Sequence, residues 1–175
     1  DPTEVQPTGD VMNVAGSPIQ FELLQSTVVD GNRVNIAGAI SDPGNTATEG
    51  FLFRIEFENQ GVALTSSDGT GIPDNLVLDD NPDVTPPTMI EFDTINTGIP
   101  HIFVREEAPI PPTPTPTPTP VEVAEVRYSV DGAALVPDEA FFLQARLANN
   151  VPNQQVGAIA FSITYDPAEV QPIGD

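Results

Sequence analysis

The densest group of side chains that could do chemistry is a set of aspartates in the stretch SSDGTGIPDNLVLDDNPD, residues 66–83. Carboxylate oxygens are ligands that Ca²⁺ prefers, and bends at Gly and Pro can fold several of them around one ion. The spacing lacks the alternation and the terminal Glu of an EF-hand loop, so the sequence favours a solvated acidic loop over a Ca²⁺ site. No other cofactor is predicted. The aspartates that would hold the ion are Asp68, Asp74, Asp79, Asp80 and Asp83.

Two further features could belong to an enzyme. The sole histidine, His101, stands in an apolar stretch with no Ser or Cys nucleophile motif around it. Glu56 and Glu58 lie two residues apart, on one face of a predicted strand, as a pair of glycosidase carboxylates could. In so acidic a chain, the sequence favours a solvated strand edge over a glycosidase pair for these two residues. The sequence therefore predicts no catalytic residue and no enzymatic activity.

The charge of the chain limits the classes of partner that it can bind. There are 26 acidic residues against five basic ones, and the formal net charge is −21. Such a surface repels nucleic acid phosphates and anionic lipid headgroups, while cations and neutral glycans remain suitable partners. The absence of Cys excludes disulfides and thiolate metal sites. No run of about 18 apolar residues predicts a membrane span, and no signal peptide opens the sequence.

A proline-rich tract, PPTPTPTPTP at residues 111–120, divides the sequence. Proline at every second position forbids helix and predicts a polyproline II rod of roughly 30 Å, at about 3.1 Å per residue. Alternating Pro and Thr is a composition favoured for O-glycosylated extracellular stalks, and a bare spacer is the alternative. With the acidity of the chain, this tract predicts an extracellular or cell-surface location. The candidate glycosylation sites are Thr113, Thr115, Thr117 and Thr119.

On either side of this linker the sequence predicts strands. Two stretches alternate with the period of two that is typical of a strand with one face in a core. Asp30–Gly31 between two apolar runs predicts a hairpin, because both central positions of such a turn favour positive φ. About nine short strands and no helical periodicity predict an all-β sandwich or barrel. The apolar residues of the two alternating stretches are Phe51, Phe53, Ile55 and Phe57, and Ile159, Phe161, Ile163 and Tyr165.

One segment occurs twice. Residues 1–10 read DPTEVQPTGD and residues 166–175 read DPAEVQPIGD, so eight of ten positions match at an offset of 165 residues. Self-similarity at a fixed offset indicates a repeat, and this offset is the length of a domain. A duplicated loop motif is the alternative. Reading from residue 123 to residue 165 and then from residue 1 to residue 104 yields a continuous domain of roughly 150 residues.

In that order the sequence resembles a cohesin domain, the β-sandwich of bacterial cellulosomes and cell-surface scaffolds. The resemblance lies in FFLQARLANNVPN, in VGAIAFSITYDPAEVQPIGD, and in VDGNRVNIAGAISDPGNTATEGFLFRIEFENQG. It implies a cohesin-like or Ig-like β-sandwich split across a repeat junction. Binding of a calcium-loaded dockerin through one sheet face would follow from the fold alone, since no recognition residue can be carried over.

The sequence thus predicts three regions: residues 1–105 as the C-terminal part of a sandwich, residues 106–120 as linker, and residues 121–175 as the N-terminal strands of the next sandwich, or of the same one. Residues 121–175 are expected to complete the sheets of a neighbouring unit, with the eight alternating apolar residues at the contact. Such a head-to-tail contact does not close and produces a linear homopolymer. The predicted function is a structural subunit or tandem repeat of an extracellular fibre or cell-surface filament. The alternative is a protein- or carbohydrate-binding module on a surface scaffold.

Overall fold

The computed structural model describes residues 10–40, 49–83, 90–92, 101–107, 123–149 and 156–173. These residues form strands and turns, with no helix and therefore none long and apolar enough to cross a membrane. The strands are β1 (Val11–Met12), β2 (Leu23–Val29), β3 (Arg33–Ala39), β4 (Gly50–Asn59), β5 (Val77–Asp80), β6 (Ile90–Phe92), β7 (His101–Glu106), β8 (Val123–Gly132), β9 (Ala140–Asn149), β10 (Val156–Thr164) and β11 (Val170–Pro172).

The first sheet has the strand order β1, β4, β9, β8, β7, and β11 also pairs with β4. Its neighbours are antiparallel except for β7 and β8, which run parallel with His101 opposite Val123 and Glu106 opposite Tyr128. The second sheet has the order β2, β3, β10, β5, and β6 also pairs with β10. Both sheets therefore have one edge formed by two short strands placed end to end.

The two sheets share one hydrophobic core, the arrangement of a β-sandwich. Phe53 on β4 meets Phe161 on β10 with ring centroids 5.6 Å apart. Phe57 on β4 meets Tyr165, just beyond β10, edge to face at 5.7 Å. Alternate residues of β3, β4, β9 and β10 point into this core because side chains of a strand alternate between its faces. The all-β fold predicted from the sequence is confirmed.

Strand β4 departs from the simple alternation that its sequence predicts. Its pairing with β9 shifts register between Phe51 and Phe53, and Leu52 and Phe53 are both fully buried. Phe51 is only partly buried. An extra residue at a bulge changes which face the following side chains occupy. The prediction that Phe51 shares the buried face of Phe53 was therefore wrong, and Leu52 takes that place.

The β2–β3 hairpin forms at the predicted turn. Asp30 and Gly31 have φ of 56° and 71°, and Val28 faces Val34 across the strands. The second predicted alternation is confirmed as well, since Ile159, Phe161, Ile163 and Tyr165 are all buried. The short strands β1 and β11 were not predicted. Residues 19–22 are irregular, and strand β2 begins at Leu23.

Candidate assembly site

The chain divides into two halves that build every part of the sandwich together. The first half, residues 10–107, contributes β1 to β7, and the second half, residues 123–173, contributes β8 to β11. Strands β8, β9 and β11 of the second half enter the first sheet, and β10 lies between β3 and β5 of the second sheet. In the structure both halves belong to one chain. Neither half contains a complete sheet, so the contact between them is the candidate assembly site.

The edge of β4 pairs with a strand from the second copy of the repeated segment and with the strand that follows the first copy. Strand β11, part of the copy at residues 166–175, places Val170 opposite Asn59 and Pro172 opposite Phe57. The backbone N–H of Ile173 then donates to the carbonyl of Glu56 at 2.9 Å. Strand β1, which directly follows the copy at residues 1–10, continues on the same edge with Val11 opposite Ile55. The two strands run in the same direction, because both are antiparallel to β4.

A turn positions β11 on this edge. The carbonyl of Asp166 accepts from the backbone N–H groups of Glu169 and Val170 at 3.0 Å each, and its carboxylate accepts from the N–H of Ala168 at 2.9 Å. Glu169 then contacts the first half twice, through its carbonyl to the N–H of Gln60 and through its carboxylate to the Asn75 side chain. Val170 is 1% exposed and packs into the core. It is the one side chain of β11 that is buried.

Aromatic rings on both faces of the first sheet also join the two halves in this region. Phe57 of the first half stacks with Phe141 of the second half at 6.0 Å and an interplanar angle of 19°. On the outer face of the sheet, the Arg54 guanidinium lies 4.6 Å from the ring centroid of Phe142. Each contact joins β4 to β9. Phe57 and Phe141 are both buried, so their packing is an apolar contribution that joins the two halves.

A polar cluster also crosses between the halves, made of Asp68 and Thr70 from the loop after β4, Glu106 of β7 and Tyr128 of β8. The Thr70 hydroxyl lies 2.8 Å from the Asp68 carboxylate and 2.9 Å from that of Glu106. The Tyr128 hydroxyl donates to Glu106 at 3.0 Å. Burial and the hydrogen bond with Asp68 raise the pKa of Glu106. That same bond, with those from Thr70, lowers the pKa of Asp68, and burial followed by the Glu106 charge raises the pKa of Tyr128.

The two carboxyl groups respond oppositely to pH. Because the pKa of Glu106 is raised above its usual 4.5, its contribution to stability is complete below that value and is lost as pH rises through the folded-state pKa. Because the pKa of Asp68 is lowered below its usual 3.8, its contribution is present above that value and is lost as pH falls. The cluster therefore favours the folded state most at about pH 4.

An ion pair adds a further polar contact between the halves. Arg146 of β9 donates to the Glu107 carboxylate, just beyond the end of β7. Asn59 at the end of β4 is 1% exposed, and its side-chain amide donates to the carbonyl of Ala134 at 3.2 Å. These bonds satisfy polar groups that lie partly or fully away from solvent.

The predicted calcium ligands are not brought together. Asp68 belongs to the cluster around Glu106, while the Asp74 carboxylate accepts from Thr65 and Ser67. Backbone and side-chain bonds from Ser67 lower the pKa of Asp74, with the Thr65 bond adding to them. On the other side of the loop, Arg33 and Asn35 donate to Asp83 at 2.8 and 2.7 Å. Asp79 and Asp80 are consecutive on β5 and point to opposite faces. Within the part of the chain that the structure describes, no three acidic or His side chains form a metal-binding group.

The remaining predicted residues have simple positions. His101 opens β7 and pairs with Val123. Glu56 and Glu58 lie on the outer face of β4, as the sequence predicts, with Glu58 exposed. The threonines Thr113, Thr115, Thr117 and Thr119 lie outside the described residues. Sequence reasoning missed Glu106 and Tyr128, which come together only because β7 and β8 are neighbours.

No protein-family model, curated protein or solved structure matches this chain. The structure defines an all-β protein with two sheets, and each sheet contains strands from both halves of the sequence.

Proposed function

We propose that this chain is a structural unit of an extracellular fibre or tandem-repeat surface protein, joined head to tail with other units by shared strands. The observation that supports this proposal is the arrangement of strands along the edge of β4. Strand β11, from the copy at residues 166–175, and strand β1, which follows the copy at residues 1–10, occupy neighbouring positions there. The end of one repeat therefore leads directly into the start of the next.

This continuity can be followed residue by residue. Ile173 lies opposite Glu56, and Val11 lies opposite Ile55, one position further along β4. In a periodic sequence only a Gly-Asp pair would stand between Ile173 and Val11. Gly and Asp are residues that favour tight turns and bulges, so the pair could loop out while the strand continues. A sandwich made of residues 121–175 followed by residues 11–107 would keep every strand pairing described above.

The linker supports the same arrangement. Within one chain, residues 108–122 must lead from the end of β7 back to the start of the parallel strand β8, a span of roughly 17 Å for five strand residues. The rod that the sequence predicts for residues 111–120 is roughly 30 Å long. The rod would be about 13 Å longer than the span. The few residues that flank it would therefore have to fold back on it. Between two units the same rod can extend freely as a spacer.

The composition favours an exterior location. An acidic, cysteine-free chain with alternating Pro and Thr has the character of a glycosylated surface stalk, and its net charge of −21 keeps neighbouring units apart except at the specific strand contact. The cohesin-like motifs, read in repeat order, fit a sandwich displayed on such a scaffold. We therefore place glycans on the linker threonines and further copies of the chain at the strand edges.

The decisive experiment compares two chain orders. In the reordered variant, residues 121–175 are followed directly by residues 11–107, and residues 108–120 are left out. We expect a monomer with cooperative unfolding at least as stable as that of the natural order. We expect the natural order to form oligomers of increasing mass with concentration in analytical ultracentrifugation, because its halves can pair between chains. A natural-order chain that stays monomeric at every concentration, together with an unfolded reordered variant, would refute the proposal and favour a binding module.

A further inference from the structure

One hydroxyl hydrogen serves two carboxyl groups in the polar cluster between the halves. The Thr70 hydroxyl lies 2.8 Å from a carboxyl oxygen of Asp68 and 2.9 Å from one of Glu106. A threonine hydroxyl has a single proton, so it donates to only one of these two groups. The other contact needs a proton on a carboxyl group, and so does the hydrogen bond between Asp68 and Glu106 themselves. The cluster as it is folded therefore holds one carboxylic acid and one carboxylate.

The surroundings of the two carboxyl groups decide which of them is the acid. Asp68 is exposed and accepts from the backbone N–H of Thr70 at 3.0 Å and from the Ser66 hydroxyl at 3.2 Å. These donors favour the charged form of Asp68. Glu106 is partly buried, accepts from the Tyr128 hydroxyl through one oxygen, and places its other oxygen against the Thr70 hydroxyl. Burial disfavours a charge there, so Glu106 is the acid that donates and Asp68 is the carboxylate.

Glu106 lies at the end of an edge strand. Strand β7 pairs with β8 and forms one edge of the first sheet. Beyond the Glu106 cluster, two contacts hold its end: the backbone N–H of Glu107 donates to the carbonyl of Tyr128 at 2.8 Å, and the Glu107 carboxylate accepts from Arg146. An edge strand held by few contacts can open while the rest of the sheet stays folded.

We propose that Asp68, Thr70 and Glu106 form a proton-dependent latch, which fixes the end of β7 on β8 in acid and loosens it as the pH rises. When Glu106 loses its proton, two carboxylates face a single hydroxyl hydrogen, and the hydrogen bond between the carboxyl groups is lost. The end of β7 then opens more often, and with it the point at which the chain enters the linker. This inference concerns the fold of the unit and goes beyond its proposed role in a fibre.

The groups around Glu106 set the direction of the response. The titratable groups that face it in the described part of the chain are Asp68, from the loop after β4, and Tyr128 of β8, and β5 meets the Tyr128 side chain through the backbone of Leu78. Neither Asp68 nor Tyr128 supplies a positive charge. Because the pKa of Glu106 is raised above 4.5, the latch is complete below that pH and is lost as the pH rises through the folded-state pKa.

Amide hydrogen exchange of the full chain, measured by NMR with chelator present at constant ionic strength, tests the latch. The reporter is the backbone N–H of Glu107, which is free to exchange when the end of β7 opens. After correction for intrinsic exchange, its opening equilibrium should rise about tenfold for each pH unit between 4.5 and the folded-state pKa of Glu106, and then become constant. The amides of β10, which lies inside the second sheet, should not follow it.

Two variants remove one charge each from neighbouring positions. Glu106→Gln should abolish the rise, because its amide cannot ionise, whereas the control Glu107→Gln should retain it. The carbon-13 shift of the Glu106 carboxyl in the natural chain should titrate above pH 4.5. A rise that persists in Glu106→Gln, an equal rise in β10, no rise at all, or titration of Glu106 at or below pH 4.5 would overturn the inference. The same contacts form whether the two halves belong to one chain or to two, so the outcome is independent of the chain-order experiment.

Discussion

The contact between Phe57 and Phe141 offers the sharpest test of how the two halves hold together. Phe141 is 1% exposed, and its ring stacks on that of Phe57. Replacing Phe141 by Ala should cost about 3–5 kcal/mol of unfolding free energy, of which roughly 0.5–1.5 kcal/mol belongs to the ring pair. With a urea slope of about 2 kcal/mol per M, a loss of about 4 kcal/mol lowers the unfolding midpoint by about 2 M.

The adjacent Phe142 provides a matched control. It lies on the opposite face of β9, where its ring contacts the Arg54 guanidinium. Phe142→Ala removes the same number of atoms and is expected to cost only about 1 kcal/mol, since a cation–π contact at an exposed site contributes roughly 0.5–1 kcal/mol. Urea titrations followed by circular dichroism measure both variants. Equal losses in the two variants, or a greater loss for Phe142→Ala, would show that the faces of β9 have been assigned incorrectly.

Three other predictions follow from the polar groups and the linker. Glu106→Gln should raise the melting temperature at pH 7.5 and leave it unchanged near pH 4, because the amide accepts from Tyr128 and donates to Asp68 without carrying a charge. If the variant and the natural chain melt at the same temperature at pH 7.5, that result would contradict the raised pKa of Glu106. Chelator at fixed ionic strength should not change the melting temperature, because Asp74 and Asp83 already accept hydrogen bonds from protein groups; a loss restored by Ca²⁺ but not by Na⁺ would show a calcium site. Mass spectrometry of the linker peptide from native material should find sugar mass, and an unmodified peptide would refute it; the sites are Thr113, Thr115, Thr117 and Thr119.

The sequence alone was sufficient to predict those structural features that depend on residues close together in the chain. The Asp30–Gly31 turn followed from the positive φ that these residues tolerate, and the structure has it at both positions. The alternation from Ile159 to Tyr165 predicted a strand with one buried face, because side-chain direction in a strand has a period of two. The all-β class followed from the same patterns together with the absence of helical periodicity.

Tertiary structure decided the features that depend on partners distant in sequence. The bulge between Phe51 and Phe53 arises in the pairing with β9, so no local pattern in β4 could reveal which of its residues would be buried. The pKa of Glu106 depends on Asp68 and Tyr128, which approach it from a distant loop and from the other side of the linker.

The repeated segment was in part predictable from the sequence and in part decided by the tertiary structure. Its two copies are visible in the sequence alone, and they were enough to predict a periodic polypeptide. That the second copy forms an edge strand on β4, directly beside the strand that follows the first copy, became evident only from the pairing register. A three-residue edge strand has no pattern strong enough to identify it, because it is held by the backbone of its neighbour and by a single buried valine.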